Sequence, residues 1–277
     1  MIRVEVLALS GAMPSSVAIT IDVLATANRL RVLAGRAEAF AAQFSGSGAK
    51  DARKIAAAAG LESQQDDPAE VVVMPGLGLS NEAELAARFA GPDVQRARKS
   101  LLAAAARGAE IATSCSGVFL LASTGLLDGR RATTTWWLAP VFRRMYPAVE
   151  LDPDALVVCD VQVTTAGAAM AQMDLMLAVV TQHAGARLAD QCARYLLLDQ
   201  RRSQSPIWPL ASWPPLIPKS PRLRRGRGQG STGRSPSMMW PEPRVSLRGP
   251  SPGAQRAPLA NRRFASCNGC GSTPPSN

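Results

Sequence analysis

Histidine is almost absent from this sequence: His183 is the only one in 277 residues. A structural zinc site needs four ligands, drawn mostly from cysteine and histidine. The cysteines offer one C-x-x-C pair, Cys267 and Cys270, with no second pair to complete such a site. We therefore predict no metal site and no cofactor, and we interpret the pair as two thiols in a tail.

Long apolar runs are also missing, since none approaches the roughly 20 residues needed to span a bilayer. The N-terminus, residues 1–9, lacks the cationic segment, long apolar core and cleavage site of a signal peptide. The remaining cysteines, Cys115, Cys159 and Cys192, lie in apolar stretches, as free thiols do in a reducing compartment. We expect a cytoplasmic protein with no membrane partner.

Acidic residues are scarce in the last quarter of the chain. The sequence up to Ile207 has 20 basic and 20 acidic residues, whereas the 70 residues from Trp208 have 11 basic and 1 acidic. Those 70 also contain 13 of the 21 prolines and 8 of the 22 glycines. Such a composition buries too little apolar surface to offset the entropy of ordering. We predict one folded domain over residues 1–206 and a disordered basic tail over residues 207–277.

The body alternates β-rich and helical stretches, which favours an α/β domain with a parallel sheet sandwiched by helices. Residues 50–65 have no clear assignment. The predicted strands cover residues 2–9, 39–44, 70–74, 110–113 and 156–164, the last as a strand or hairpin. The predicted helices cover residues 17–33, 81–89, 93–107, 117–124, 168–183 and 187–199.

The sharpest local pattern is a strand, a tight turn and a helix around Cys115, with Gly117 relieving crowding behind the turn. This is a nucleophile elbow with cysteine in place of serine. The end of the following helix would favour the thiolate and lower the pKa of Cys115. The alternative is a small apolar residue at a strand end, without chemistry.

A nucleophile also needs a base or an orienting partner. His183 lies far from Cys115 in sequence, and we interpret it as a helix-cap residue rather than a catalytic base. Asp22, in the first helix, is a possible acid, but a solvated helix charge is the favoured interpretation.

Five motifs carry a resemblance to a known family. The body resembles the ThiJ/PfpI branch of class I glutamine amidotransferase-like domains and, more narrowly, the N-terminal sensor domain of GlxA-type regulators of the AraC family. The motifs are Val71-Val-Val-Met-Pro-Gly-Leu-Gly78, Cys115-Ser-Gly-Val-Phe-Leu-Leu-Ala122, Gly125-Leu-Leu-Asp-Gly-Arg-Arg-Ala-Thr-Thr134, Thr165-Ala-Gly-Ala-Ala-Met-Ala-Gln-Met-Asp174 and Leu196-Leu-Leu-Asp-Gln-Arg-Arg-Ser-Gln204.

The resemblance implies a flavodoxin-like fold with Cys115 on a strained elbow at the carboxyl edge of the sheet, where ligands of such folds bind. It implies a homodimer and a small-molecule effector, bound by residues around the elbow and the two neighbouring loops. These candidate ligand-binding residues are Gly76, Leu77, Gly78, Cys115, Ser116, Gly117, Thr134, Thr135 and Trp136.

Two departures from the family pattern concern catalysis. Thr135 stands where the family usually has histidine, and residues 11–17 lack the carboxylate that enzymes of the superfamily use. A cysteine without either group is poorly equipped for acyl transfer. We predict a ligand-sensing domain rather than an enzyme. The alternative is a free-standing enzyme, a hydratase, amidohydrolase or glyoxalase, with Cys115 as its nucleophile.

Regulators of this type continue into a DNA-binding domain with two helix-turn-helix units, but here prolines interrupt every window after Pro206. One interpretation is a basic arm that contacts phosphates, and another is a solvated tail. A third fits better. Regrouping the codons of residues 264–275 by one nucleotide permits Arg-Phe-Leu-Gln-Arg-Leu-Arg-Val-Asp-Ala-Ala, which resembles the second helix-turn-helix region. The tail is then an out-of-frame remnant, and DNA binding requires a domain that is lost here.

Overall fold

The structure is a computed structural model that describes residues 1–61 and 67–198. The predicted disordered tail, its C-x-x-C pair and the last residues of the predicted final helix lie outside the described residues.

The chain alternates strands and helices, as the sequence predicts. Its strands are β1 (Ile2–Leu7), β2 (Phe40–Ser45), β3 (Val71–Met74), β4 (Glu110–Ser114), β5 (Arg131–Ala132), β6 (Glu150–Leu151), β7 (Val157–Asp160) and β8 (Val163–Ala166). Its helices are α1 (Pro14–Leu33), α2 (Ala49–Ala58), α3 (Glu82–Phe89), α4 (Pro92–Ala106), α5 (Gly117–Ala122), α6 (Ala139–Met145), α7 (Gln172–Ala184) and α8 (Ala186–Tyr195), with 3-10 turns at Trp136–Leu138 and Ala169–Ala171.

Six strands form the main sheet, in the order β2-β1-β3-β4-β8-β7. Every neighbouring pair is parallel except β7 and β8, which form an antiparallel hairpin at one edge. The prediction of a flavodoxin-like α/β sheet is confirmed. Of the two alternatives predicted for residues 156–164, a strand or a hairpin, the hairpin is the one that forms, so the sheet is mixed rather than wholly parallel. The hairpin arises because only two residues separate β7 from β8, too few for a parallel crossover.

Alternate side chains of the buried strands belong to two apolar clusters, one on each face of the sheet. Val71 and Val73 pack with α1, α2, α7 and α8, whereas Val72 and Met74 pack with α4 and α5. Both faces of β3 are buried, which explains its continuous apolar sequence. The two layers of helices hold the carboxyl ends of β3 and β4 side by side.

Several boundaries differ from the sequence-based prediction, and β5, β6 and α6 were not among the predicted elements. Helix α1 begins at Pro14 rather than residue 17, because proline is well suited to the first helical turn. The unassigned segment contains α2, whose small buried face consists of alanines. The helix predicted from residue 168 begins at Gln172, after a 3-10 turn. Among the described residues, no helix is long and apolar enough to cross a membrane.

Candidate functional site

Cys115 lies on a strained turn between β4 and α5. Its φ is 54°, a left-handed value that costs a non-glycine residue about 1–2 kcal/mol. Its N–H donates to the carbonyl oxygens of Ala166 and Gly167, at 3.0 and 2.7 Å. Both acceptors lie at the end of β8, so the neighbouring strand holds the turn in this conformation. The elbow predicted from the sequence is present.

Two glycines let the backbone come close to this turn. A Cβ on Gly76 would lie 3.1 Å from the Cβ of Cys115. A Cβ on Gly117 would lie 2.4 Å from the Oγ1 of Thr113, a hydroxyl that donates to the carbonyl of Met74. Glycine at both positions therefore brings the loop after β3 against the elbow.

Hydroxyl groups surround the cysteine. The Oγ1 of Thr134 donates to the carbonyl of Cys115 at 2.8 Å, and the Oγ of Ser116 accepts the N–H of Leu79 at 3.0 Å. Ser116, Thr134 and the adjacent Thr135 are fully buried. The strand-end loop carrying the threonines is thus bonded directly to the elbow.

The nine predicted ligand-binding residues do not all lie equally close to this centre. Leu77 is buried in the apolar cluster that includes α4, whereas Gly78 is exposed, with a φ of 68°. Trp136 is half-buried, and its ring meets that of Trp137 edge to face, with centroids 5.5 Å apart. The structure joins Gly76, Ser116 and Thr134 to Cys115 through bonds or close approaches, whereas Gly117 lies against Thr113.

Cys115 is only 2% exposed, and this burial dominates the electrostatics of its thiol. Burial raises the pKa of the Cys115 thiol above its ordinary value, although hydrogen bonds from the backbone and side chain of Ser116 act in the opposite direction. The prediction of a lowered pKa is wrong, because the loss of solvent outweighs the helix end.

His183 lies at the other end of the sheet. Its Nε2 is 2.7 Å from the Oε2 of Glu110, and the Oγ1 of Thr164 donates to the other carboxylate oxygen at 2.9 Å. Glu110 begins β4 and Cys115 follows its end, so about 16 Å of strand separates them. His183 therefore cannot serve Cys115 as a base, and its partner is a buried glutamate rather than only a helix end.

Asp22, the candidate acid, is exposed on α1. The interpretation as a solvated helix charge agrees with this position. Among the described residues, no group of three histidine, cysteine or acidic side chains could hold a metal ion.

A buried polar chain runs behind the elbow, and the sequence-based analysis missed it. The Oγ of Ser114 lies 2.6 Å from the Oε1 of Gln172, whose Nε2 donates to the Oγ1 of Thr20 at 2.9 Å. The hydroxyl of Thr20 donates in turn to the carbonyl of Ser16 at 2.8 Å. A glutamine at the start of an otherwise apolar helix is the signal that could have indicated it.

The fold and the elbow define an α/β domain with a buried cysteine at the carboxyl edge of its sheet. Residues 3–182 match the model of the DJ-1/PfpI family. The chain belongs to this family.

Its curated relatives include helix-turn-helix transcriptional regulators. The chain is 36% identical over 87 residues to the HTH-type transcriptional regulator CdhR of Pseudomonas aeruginosa, covering 31% of this chain and 26% of the relative. It is 34% identical over 91 residues to the HTH-type transcriptional regulator GlxA of Rhizobium meliloti, covering 32% and 28%. The matches thus span little more than a quarter of the length of these relatives.

A crystal structure of an AraC family transcriptional regulator from Pseudomonas putida has the same fold. The TM-score is 0.52 at 21% sequence identity, and the alignment covers 71% of this chain and all of the other. This likeness independently supports the flavodoxin-like architecture.

Proposed function

We propose that residues 1–206 are the ligand-sensing domain of an AraC-type transcriptional regulator, with a small-molecule effector bound at Cys115. The curated relatives are transcriptional regulators of this kind, and the family assignment covers the domain that carries the elbow.

The proposal depends most on one observation, the chemical nature of the groups around the Cys115 thiol. The described residues that bond to or closely approach Cys115 supply hydroxyls and backbone groups, and none of them is a base. His183 is engaged with Glu110 at the opposite edge of the sheet. A buried, neutral thiol without a base suits ligand contact better than acyl transfer, since each positioned acid or base contributes about 10²–10⁴-fold to a rate.

The test is a thermal-shift screen of small metabolites on the full chain, followed by chemical recovery of each ligand. We expect a ligand that raises Tm and is recovered unchanged. We expect Gly76→Val to abolish the shift, because even its Cβ would lie 3.1 Å from the Cβ of Cys115 and its larger side chain would displace the elbow. A ligand converted to product by the native chain but not by Cys115→Ala would instead establish the alternative, a cysteine-dependent enzyme.

We also propose that residues 207–277 are the product of codons for a DNA-binding domain that are read in a shifted frame. The support is the charge and proline content of this segment together with the helix-turn-helix string permitted by the shifted codons. Resequencing the gene from the codon for Arg201 onward tests this. An inserted or deleted base, or an intact helix-turn-helix frame overlapping the tail codons, is the expected result, and a confirmed frame with no such overlap would contradict it.

A further inference from the structure

We infer that the site at Cys115 binds an uncharged ligand that hydrogen-bonds to the hydroxyls of Ser16 and Thr135. This inference rests on the proposed function and specifies the chemical class of its effector. It is carried by two buried hydroxyls that have no partner among the described residues, and by the lack of charged groups among the described partners of Cys115.

Ser16 lies in the first turn of α1, whose N-terminal end is bonded to the loop after β3. The N–H of Met13, one turn earlier, donates to the carbonyl of Gly76 at 2.8 Å, and Gly76 abuts Cys115. One turn later, Thr20 joins the polar chain that ends at Ser114. Ser16 therefore lies between two contacts that lead to the immediate neighbours of Cys115. Its hydroxyl is fully buried, with no hydrogen-bond partner in the described part of the chain.

Thr135 approaches the same centre from the loop before α6. The preceding residue, Thr134, donates its hydroxyl to the carbonyl of Cys115. Thr135 is fully buried, and its Oγ1 also has no partner among the described residues. The neighbouring threonines differ from it, because the hydroxyls of Thr133 and Thr134 are both bonded.

Two such groups are costly in a folded domain. A buried polar group without a partner destabilises a protein by about 1–3 kcal/mol, and nearly all buried hydroxyls are therefore bonded. A ligand that bonds to Ser16 and Thr135 removes this cost, which gives it a binding advantage that an apolar molecule lacks.

Among the described residues, no charged group bonds to or closely approaches Cys115. Its partners in bonds and close approaches are Gly76, Ser116, Val118, Thr134, Ala166 and Gly167, and none carries a charge. An ion entering this site would lose its hydration and find no counter-ion, which costs several kcal/mol. A neutral molecule with groups such as amides or hydroxyls loses much less and can both donate to and accept from the two hydroxyls.

The experiment compares three probes of one skeleton: butyramide, butyrate and butylammonium, at equal ionic strength on the full chain. The first readout is the rise in Tm. The second is protection of Cys115 from iodoacetamide, measured by mass spectrometry with Cys159 in the same digest as reference. We expect butyramide to raise Tm and protect Cys115, and the two ions to do neither.

Two variants test the residues. Ser16→Ala and Thr135→Val each remove a hydroxyl, and we expect each to weaken butyramide binding about tenfold, the equivalent of one hydrogen bond of 1.4 kcal/mol. The matched control is Thr133→Val, because its hydroxyl is bonded to the carbonyl of Ala155. In the ligand-free protein, the first two variants should leave Tm unchanged or raise it, whereas Thr133→Val should lower it.

The outcomes separate this inference from the proposed function. Protection by butyrate or butylammonium equal to that by butyramide would overturn the uncharged class and leave the ligand site intact. Butyramide binding that survives both hydroxyl substitutions would overturn the roles of Ser16 and Thr135. Protection by none of the three probes would overturn both the site and its class.

Discussion

The backbone of Cys115 and the reactivity of its thiol follow from different causes. Two hydrogen bonds from its N–H to the end of β8 hold φ at 54°. The reactivity depends on solvent, because the folded chain leaves the residue only 2% exposed. A strained elbow and a low thiol pKa are therefore separable properties: this chain has the strained elbow, while burial raises the pKa of its thiol.

The pH dependence of alkylation tests whether burial raises the pKa of the Cys115 thiol. Because burial raises the pKa of its thiol, the thiolate forms only at higher pH than in a solvated cysteine. We expect its iodoacetamide rate, measured by mass spectrometry, to be below that of glutathione near neutrality and to keep rising above about pH 10, where a free thiol with a pKa of about 8.5 has levelled off. A rate that saturates at or below pH 7 would mean that the helix end dominates.

The effect of replacing Gly117 on the stability of the fold can also be predicted. Alanine would place its Cβ 2.4 Å from the Oγ1 of Thr113, displacing the hydroxyl that bonds to Met74. We expect Gly117→Ala to lower the free energy of unfolding by about 2–3 kcal/mol in urea titrations. The control is Gly129→Ala, where φ is +69° but no atom lies nearby, and where about 1 kcal/mol is expected. Equal losses at both positions would contradict the steric argument.

At the scale of elements, the sheet's apolar strands and the elbow were predictable because both are local patterns. β3 is a continuous apolar run stopped by Pro75, and the Cys115 turn lies between a strand and a glycine. Pairings between distant elements were not predictable. His183 and Glu110 are 73 residues apart, and their contact depends on the end of α7 meeting the start of β4.

In the candidate site, too, local patterns were predictable and contacts between distant residues were not. Motifs indicated the loops that meet at Cys115, but which hydroxyls are bonded and which are not depends on packing. Thr133, Thr134 and Thr135 are three consecutive threonines that the sequence alone does not distinguish. Only Thr135 has an unpartnered hydroxyl among the described residues. Likewise, the raised pKa of Cys115 follows from burial by elements that are remote in sequence.

The polar chain through Gln172 joins α1, β4 and α7, and a double-mutant cycle can measure its contribution. Gln172→Met keeps the volume but leaves the hydroxyl of Ser114 without its partner, so we expect a loss of about 1–3 kcal/mol in unfolding free energy. Adding Ser114→Ala should recover part of that loss, because the orphaned hydroxyl is removed.

The control for this cycle is Gln95→Met on the exposed face of α4, where a change within about 0.5 kcal/mol is expected. Strictly additive losses for Gln172→Met and Ser114→Ala would show that the two side chains do not act as a unit.

At the scale of the whole molecule, charge divides the chain into two parts. The body up to Ile207 is neutral, while the last 70 residues combine 11 basic residues with a single acidic one. The regulators CdhR and GlxA, to which the chain is similar, are named for a helix-turn-helix, which is a folded motif and not a run of arginines. If the tail is out of frame, its charge remains but its capacity to read bases does not.

The difference in charge between the body and the tail predicts how the full chain binds DNA. We expect weak binding without sequence preference, measured by fluorescence anisotropy on duplexes of different sequence. Its affinity should fall steeply with salt, because each neutralised phosphate contributes a slope of about −0.9 in log K against log salt. A chain ending at Pro206 should lose this binding, since its charges balance. A sequence-selective footprint from the full chain would show instead that the tail reads bases, and equal binding by the shortened chain would place the contacts on the folded body.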